Sequence, residues 1–145
     1  MKLVVDTNVF IAALLKESVT RRILLHPSFE FFAPEFAFEE IEAHSVELVA
    51  KSGLSRYRLL KVIDTIRDHV TVVPFTTFHS TYRRAMDMMR EIDLSDAPFL
   101  ALALSFENDG VWTNDSHFHQ QNAVRVWSTG DLVVELRSLE ESMHF

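Results

Sequence analysis

Three aspartates stand where the chain passes from one element to the next. Asp6 closes the β-branched run Leu3-Val4-Val5, and Asp115 follows Val111-Trp112-Thr113-Asn114. Asp96 comes directly after Ser95, in the first turn of an apolar helix carrying Phe99, Leu100, Leu102, Ala103 and Leu104. On the helix that begins at Glu35, Ala37, Ile41 and Leu48 form an apolar stripe with Glu40 on one edge and Glu42 on the other. Spacing alone does not choose between those two glutamates. Carboxylates gathered at one place raise one another's pKa values and cost stability. Hard divalent cations remove that conflict, because carboxylate and water oxygens suit Mg²⁺ or Mn²⁺. Two such ions about 3.5–4 Å apart clamp a phosphate for in-line attack, one acidifying the attacking water and the other stabilising the leaving oxygen.

Each acid also has an ordinary explanation. Asp is favoured at the start of a helix or turn whatever the protein does. Asp96 gains about 0.3–1 kcal/mol from the dipole of its helix. A glutamate at the border of an apolar stripe is commonly a solvated flank. Asp93 lies close enough to Asp96 to serve instead of it, or to hold a ligand in place.

Whether the acids meet depends on the elements that carry them. Strands are expected at 3–5, 29–33, 70–73, 111–113 and 124–127, the second and third closed by Pro34 and Pro74. Helices are expected at 9–15, from a Ser18 cap to about 25, and in one long run over 35–51 stopped by Gly53. Ser55 caps the next, which carries Leu59, Leu60, Val62, Ile63 and Ile66. Further helices fall near 80–90, from a Ser95 cap to about 107, and over 128–139. Strands alternating with helices imply a parallel sheet covered on both faces, an α/β/α domain built from right-handed crossovers. Ligands collect outside the carboxyl ends of such strands. Asp6 and Asp115 meet there if strands 1 and 4 are neighbours.

The chain has 145 residues, 48% hydrophobic and 24% charged, which suits one globular domain over 1–145 and argues against disorder. With no cysteine, a disulfide scaffold, a thiol nucleophile and a cysteine zinc site are excluded. No apolar run approaches the roughly 18 residues that span a membrane. Lys2 leads straight into the first strand, so no secretory leader is expected and a cytoplasmic location is. A net charge of −7 is the wrong sign for gripping nucleic acid by bulk electrostatics. Divalent cations at an acidic site reverse that potential locally.

Four stretches, in order, carry a family resemblance. They are Val4-Val5-Asp6-Thr7-Asn8-Val9-Phe10, Ala33-Pro34-Glu35-Phe36 leading to Glu39-Glu40-Ile41, Asp93-Leu94-Ser95-Asp96-Ala97-Pro98-Phe99-Leu100-Ala101-Leu102-Ala103, and Val111-Trp112-Thr113-Asn114-Asp115-Ser116-His117-Phe118. In these the chain resembles a PIN-domain ribonuclease, the family that includes the VapC-like toxins of toxin–antitoxin pairs. The resemblance implies a five-stranded parallel sheet of order 3-2-1-4-5, which makes strands 1 and 4 neighbours. It implies that Asp6, Glu40, Asp96 and Asp115 hold the metal, with Thr113 or Asn8 orienting a water or an aspartate. It further implies Mg²⁺- or Mn²⁺-dependent endonucleolytic cleavage of RNA, an antitoxin partner and a homodimer.

Other features read more plainly. The basic stretch Lys51 to Lys61, with Tyr57, could hold RNA backbone but reads first as a solvated helix face. His117 and His119, alternate residues in a loop, are poor evidence of a zinc pair. The Phe-rich segment from Phe29 to Phe38 reads as core, or as an oligomer or antitoxin contact if exposed. A signalling receiver domain fits poorly, since Pro74-Phe75 follows strand 3 and Ser128-Thr129 follows strand 5 where an Asp and a Lys would be needed. A haloacid-dehalogenase-type phosphatase would want an Asp at Asn8. A non-catalytic protein whose acids only cap helices remains the simplest rival.

Overall fold

In a computed structural model, which describes residues 1–15 and 18–142, the strands form one parallel sheet of order β3-β2-β1-β4-β5. These are β1 (Lys2–Val5), β2 (Glu30–Pro34), β3 (Val70–Val73), β4 (Val111–Trp112) and β5 (Val126–Trp127). Register explains the buried strand runs. Leu3 and Val5 face the same side as Phe31 and Trp112, whereas Val4, Phe32 and Val111 face the other. Both sides are apolar because both carry helices.

On the Phe32 side, α7 (Ala97–Ser105) lies on β1, β2 and β4 and pairs with α6 (Phe75–Met89). Phe106, just past α7, turns extended and stacks on Phe32 at 4.8 Å between ring centroids. The remaining helices are α1 (Thr7–Leu15), α2 (Ser18–Leu24), α3 (Glu35–Ala43), α4 (Ser45–Ser52), α5 (Arg56–Asp68) and α8 (Thr129–Ser142). Around α1 pack α2, α3, α4 and α5, and α8 joins α2 to β5. One continuous core runs through the sheet, with Trp112, Phe10, Phe31, Phe38 and Phe99 wholly buried in it.

The differences from the expected elements have local causes. α1 begins at Thr7 rather than at residue 9, immediately after Asp6. The long helix over 35–51 is two helices, because His44 leaves helical geometry (φ −100°, ψ 14°) and closes α3 with hydrogen bonds to the Glu40 and Ile41 carbonyls. Neither glycine nor proline marks that break. α6 starts at Phe75, well before residue 80, since extended Pro74 stands directly at its N-terminus, as Pro34 does for α3. The cap expected of Ser95 belongs to Asp93, whose carboxylate takes the Ser95 N–H at the start of a 3₁₀ turn, Leu94–Asp96. β5 loses residues 124 and 125 because the Gln121 amide oxygen takes the N–H groups of Ala123 and Val124. Ser55 and left-handed Gly53 (φ 71°) act as read, one capping α5 and the other ending α4. Ser18 is the first residue of α2, and the cap expected of its side chain lies outside what the structure describes. Among the described residues no helix is long and apolar enough to cross a membrane.

Candidate metal centre

The parallel pairing of β1 with β4 brings Asp6 and Asp115 to one sheet edge, and Thr113 ties them together. The Thr113 hydroxyl donates to Asp6 Oδ2 at 2.8 Å, and the same oxygen accepts the Asp115 backbone N–H at 3.0 Å. Asp6 is 3% exposed, so burial pushes its carboxyl up to about 6; the Thr113 hydroxyl opposes this, and the charges of Asp115 and Glu40 add to it. Besides the backbone of Thr7 next to it, Asp6 is thus held from across the sheet by Thr113, just past β4, which a helix cap alone would not require.

Asp96 sits at the junction of the 3₁₀ turn and α7 and makes no cap hydrogen bond. Burial raises its carboxyl to about 7, with further repulsion from Asp6, Asp93, Asp115 and Glu40. One of its oxygens, Oδ2, is buried with no hydrogen-bond partner among the described residues. Leaving a buried acceptor unsatisfied costs about 1–3 kcal/mol. Such an atom is best explained by a ligand that the protein chain does not itself provide.

Glu40 projects from α3 toward α1, where its Oε1 accepts the Thr7 hydroxyl at 3.0 Å. Glu42 lies 4.0 Å from Arg67 and is exposed, so the two glutamates are on different business. This separates what helical spacing left equal.

Asp93, already read as a possible partner of Asp96, joins the acids closely, and so does His117, which the sequence reading did not place there. Asp93, Asp96, Asp115 and His117 each present one donor atom, all within 4.8 Å of one another. Asp6 and Glu40 stand outside this tight set but within the electrostatic field of Asp96. Asp115 does cap the following 3₁₀ turn, Ser116–Gln120, through Oδ1 and the His117 N–H at 2.9 Å. His117 follows Asp115 by two residues, a spacing that the cap makes local; that is the signal which could have found it. His119 is exposed and stands outside this set. Asn8 is exposed.

Asp6, Glu40, Asp96 and Asp115 thus share one electrostatic neighbourhood. All-oxygen donors, two of them held mostly protonated at acid pH by burial and mutual repulsion, together with an orphaned Asp96 oxygen, fit a hard divalent cation. A cavity of about 540 Å³ is lined by Pro34, Phe36, Phe75, Phe78, Tyr82 and Leu94, and also by Glu39 and Ser95, the sequence neighbours of Glu40 and Asp96. Of the Phe-rich segment, Phe29, Phe31 and Phe38 are core, while Phe36 is exposed and opens on this cavity. In the basic stretch, Tyr57 is exposed and Lys61 covers one face of its ring at 4.7 Å.

A family model described as PIN domain matches residues 4–137. Among solved structures the chain is similar to that of VapBC2 from Rickettsia felis bound to a DNA fragment from their promoter. The two share 14% sequence identity with a TM-score of 0.69, over 88% of this chain and 98% of that one. At that identity the likeness speaks for the fold. No curated protein matches the chain.

Proposed function

The chain belongs to the PIN-domain family, and from that premise we propose that it is a metal-dependent endoribonuclease, the toxin of a toxin–antitoxin pair. The observation that carries the reading is the buried, unpartnered Asp96 Oδ2 among acids from four separate stretches of chain. Asp6, Glu40, Asp96 and Asp115 would hold Mg²⁺ or Mn²⁺. When bound, the ion neutralises the phosphate and makes a nearby water acidic enough to attack it.

The protein's own part is positioning. Thr113 fixes Asp6 and the Asp115 backbone in one arrangement, and Thr7 holds Glu40 toward them. Asp6 and Asp96 must both release protons before they can act as ligands, so acid pH opposes the reaction. Phe36, Phe75 and Tyr82 line the cavity that Glu39 and Ser95, the sequence neighbours of Glu40 and Asp96, also line, and such rings suit the stacking of unpaired bases. That favours single-stranded RNA over duplex. An antitoxin partner, a homodimer and a cytoplasmic site of action complete the proposal, by likeness to VapBC2 and its family.

The rival in which the acids only cap helices accounts for Asp93 and Asp115, which do cap turns, but not for Asp6 and Asp96. The test is to incubate the purified protein with a panel of RNAs and Mn²⁺ beside Asp6→Asn. Cleavage by the wild type alone, abolished by chelator, is expected. Equal cleavage by both proteins, or none by the wild type on any RNA, would overturn the assignment.

A further inference from the structure

Among the described residues, Asp96 and Asp115 belong to a close set of donors that also contains Asp93 and an imidazole. His117 Nδ1 lies 3.4 Å from Asp115 Oδ1 and 3.5 Å from Asp93 Oδ2. Both separations are at the long limit of a hydrogen bond, so the ring is gathered among carboxylates without being locked to one of them. An octahedral ion with bonds of about 2.1 Å needs neighbouring donors about 3 Å apart and opposite donors about 4.2 Å apart. The two His117 spacings exceed the value for neighbouring donors by roughly half an ångström, and all four donors lie within 4.8 Å of one another, so the side chains must draw in to close on one ion. The cluster has a second mark of a missing ligand: Asp96, a member of the set and 5% exposed, keeps an oxygen with no partner. Asp93 and His117 are tethered for the purpose, Asp93 by the Ser95 N–H and hydroxyl, His117 by its own backbone N–H on Asp115.

Resting on the metal-dependent reading above, we infer that His117 supplies a nitrogen ligand to the metal centre, with Asp93 as an additional carboxylate, and that the centre therefore takes Mn²⁺ in preference to Mg²⁺. The reason is donor chemistry. Mg²⁺ takes oxygen and parts reluctantly with its waters, whereas Mn²⁺, although it binds most weakly of the first-row divalent ions, accepts an imidazole nitrogen beside its oxygen ligands more readily than Mg²⁺ does. A site of carboxylates alone would leave the choice to availability; one nitrogen tilts it.

The experiment uses the full chain and the metals alone. Mn²⁺ is bound to the wild type, His117→Gln and His119→Gln, and the electron spin echo is searched for modulation by a directly coordinated imidazole nitrogen. Affinities for Mn²⁺ and Mg²⁺ are measured by calorimetry in parallel. Modulation is expected in the wild type and in His119→Gln and absent from His117→Gln. That variant should also bind Mn²⁺ about tenfold more weakly while Mg²⁺ changes by less than about threefold. Replacing the ring leaves the backbone cap on Asp115 intact, so the fold is retained. Mn²⁺ bound without nitrogen modulation, or modulation that survives in His117→Gln, would overturn this inference while leaving the nuclease reading untouched. No Mn²⁺ binding by the wild type would overturn both.

Discussion

The Thr113 side chain holds Asp6 at 2.8 Å across the β1–β4 pairing, and with its one oxygen also receives the backbone of Asp115. A single hydroxyl therefore sets the distance between two acids 109 residues apart in sequence. Thr113→Val keeps the shape and removes both bonds. We expect RNA cleavage to fall about tenfold or more, mainly in kcat, with Thr113→Ser restoring most of it. Single-turnover rates for the three proteins check this, and an unchanged rate in Thr113→Val would show that the link is idle.

Burial and mutual repulsion make the metal-free centre a source of instability. Asp96 has its carboxyl raised to about 7 and Asp6 to about 6, from an ordinary 3.8. The folded state therefore holds these protons more tightly than the unfolded chain does. The stability that this confers is complete below about pH 3.8 and lost as pH climbs through about 7. Asp96→Asn removes that loss. In chelator, its Tm should equal the wild type's near pH 4 and exceed it by about 5 °C or more at pH 8. A constant difference across the range would mean that Asp96 does not titrate as described.

The same shifts make metal binding pH-dependent. Protons must leave Asp6 and Asp96 as the ion enters, so Mn²⁺ affinity should rise from pH 5.5 to pH 8 by at least about tenfold. Calorimetry in buffers of different ionisation enthalpy would count the protons released; an affinity flat with pH would argue that other groups bind the ion.

Asp115 has two duties that one substitution separates. Asn caps a turn as well as Asp does, so Asp115→Asn should keep the Ser116–Gln120 turn and the fold, yet lose the stabilisation that Mn²⁺ gives the wild type. Thermal melts with and without Mn²⁺ check it. A full metal-induced rise in Asp115→Asn would reduce Asp115 to a cap.

The placement of β4 has its own requirement. Gly110 has φ 128°, and a Cβ there would run into the Arg125 carbonyl oxygen. Gly110→Ala should cost about 2 kcal/mol or more, seen as a fall in the urea midpoint, and should weaken Mn²⁺ binding because Asp115 travels with β4.

Much of this arrangement was legible because it follows from strong local signals. The β-branched runs, the prolines that end β2 and β3, and left-handed Gly53 all punctuate the chain, and the alternation of strands and helices allows little but a parallel sheet. The sheet order came with the family resemblance, not from periodicity. What stayed hidden depends on tertiary contacts. No residue type announces the break at His44, and the buried Gln121 amide that shortens β5 looks like any polar loop residue until its hydrogen bonds to Phe118, Ala123 and Val124 are seen. Periodicity left Glu40 and Glu42 equal; the resemblance chose Glu40, and the fold sets it apart by the Thr7 hydroxyl on a different helix and by Glu42's contact with Arg67. His117 stood out little in the sequence because alternate histidines in a loop say nothing of the Asp93 and Asp115 carboxylates that the fold brings beside its ring.

The claim beneath all of this is that separated carboxylates share a divalent ion, and crystals grown with MnCl₂ test it most directly. Data collected at the manganese edge should show an anomalous peak within bonding distance of Asp96 Oδ2 and an Asp115 oxygen, absent from Asp96→Asn crystals. A well-ordered Asp96 with no peak beside it at saturating Mn²⁺, or a peak bound only by residues elsewhere on the surface, would contradict the account.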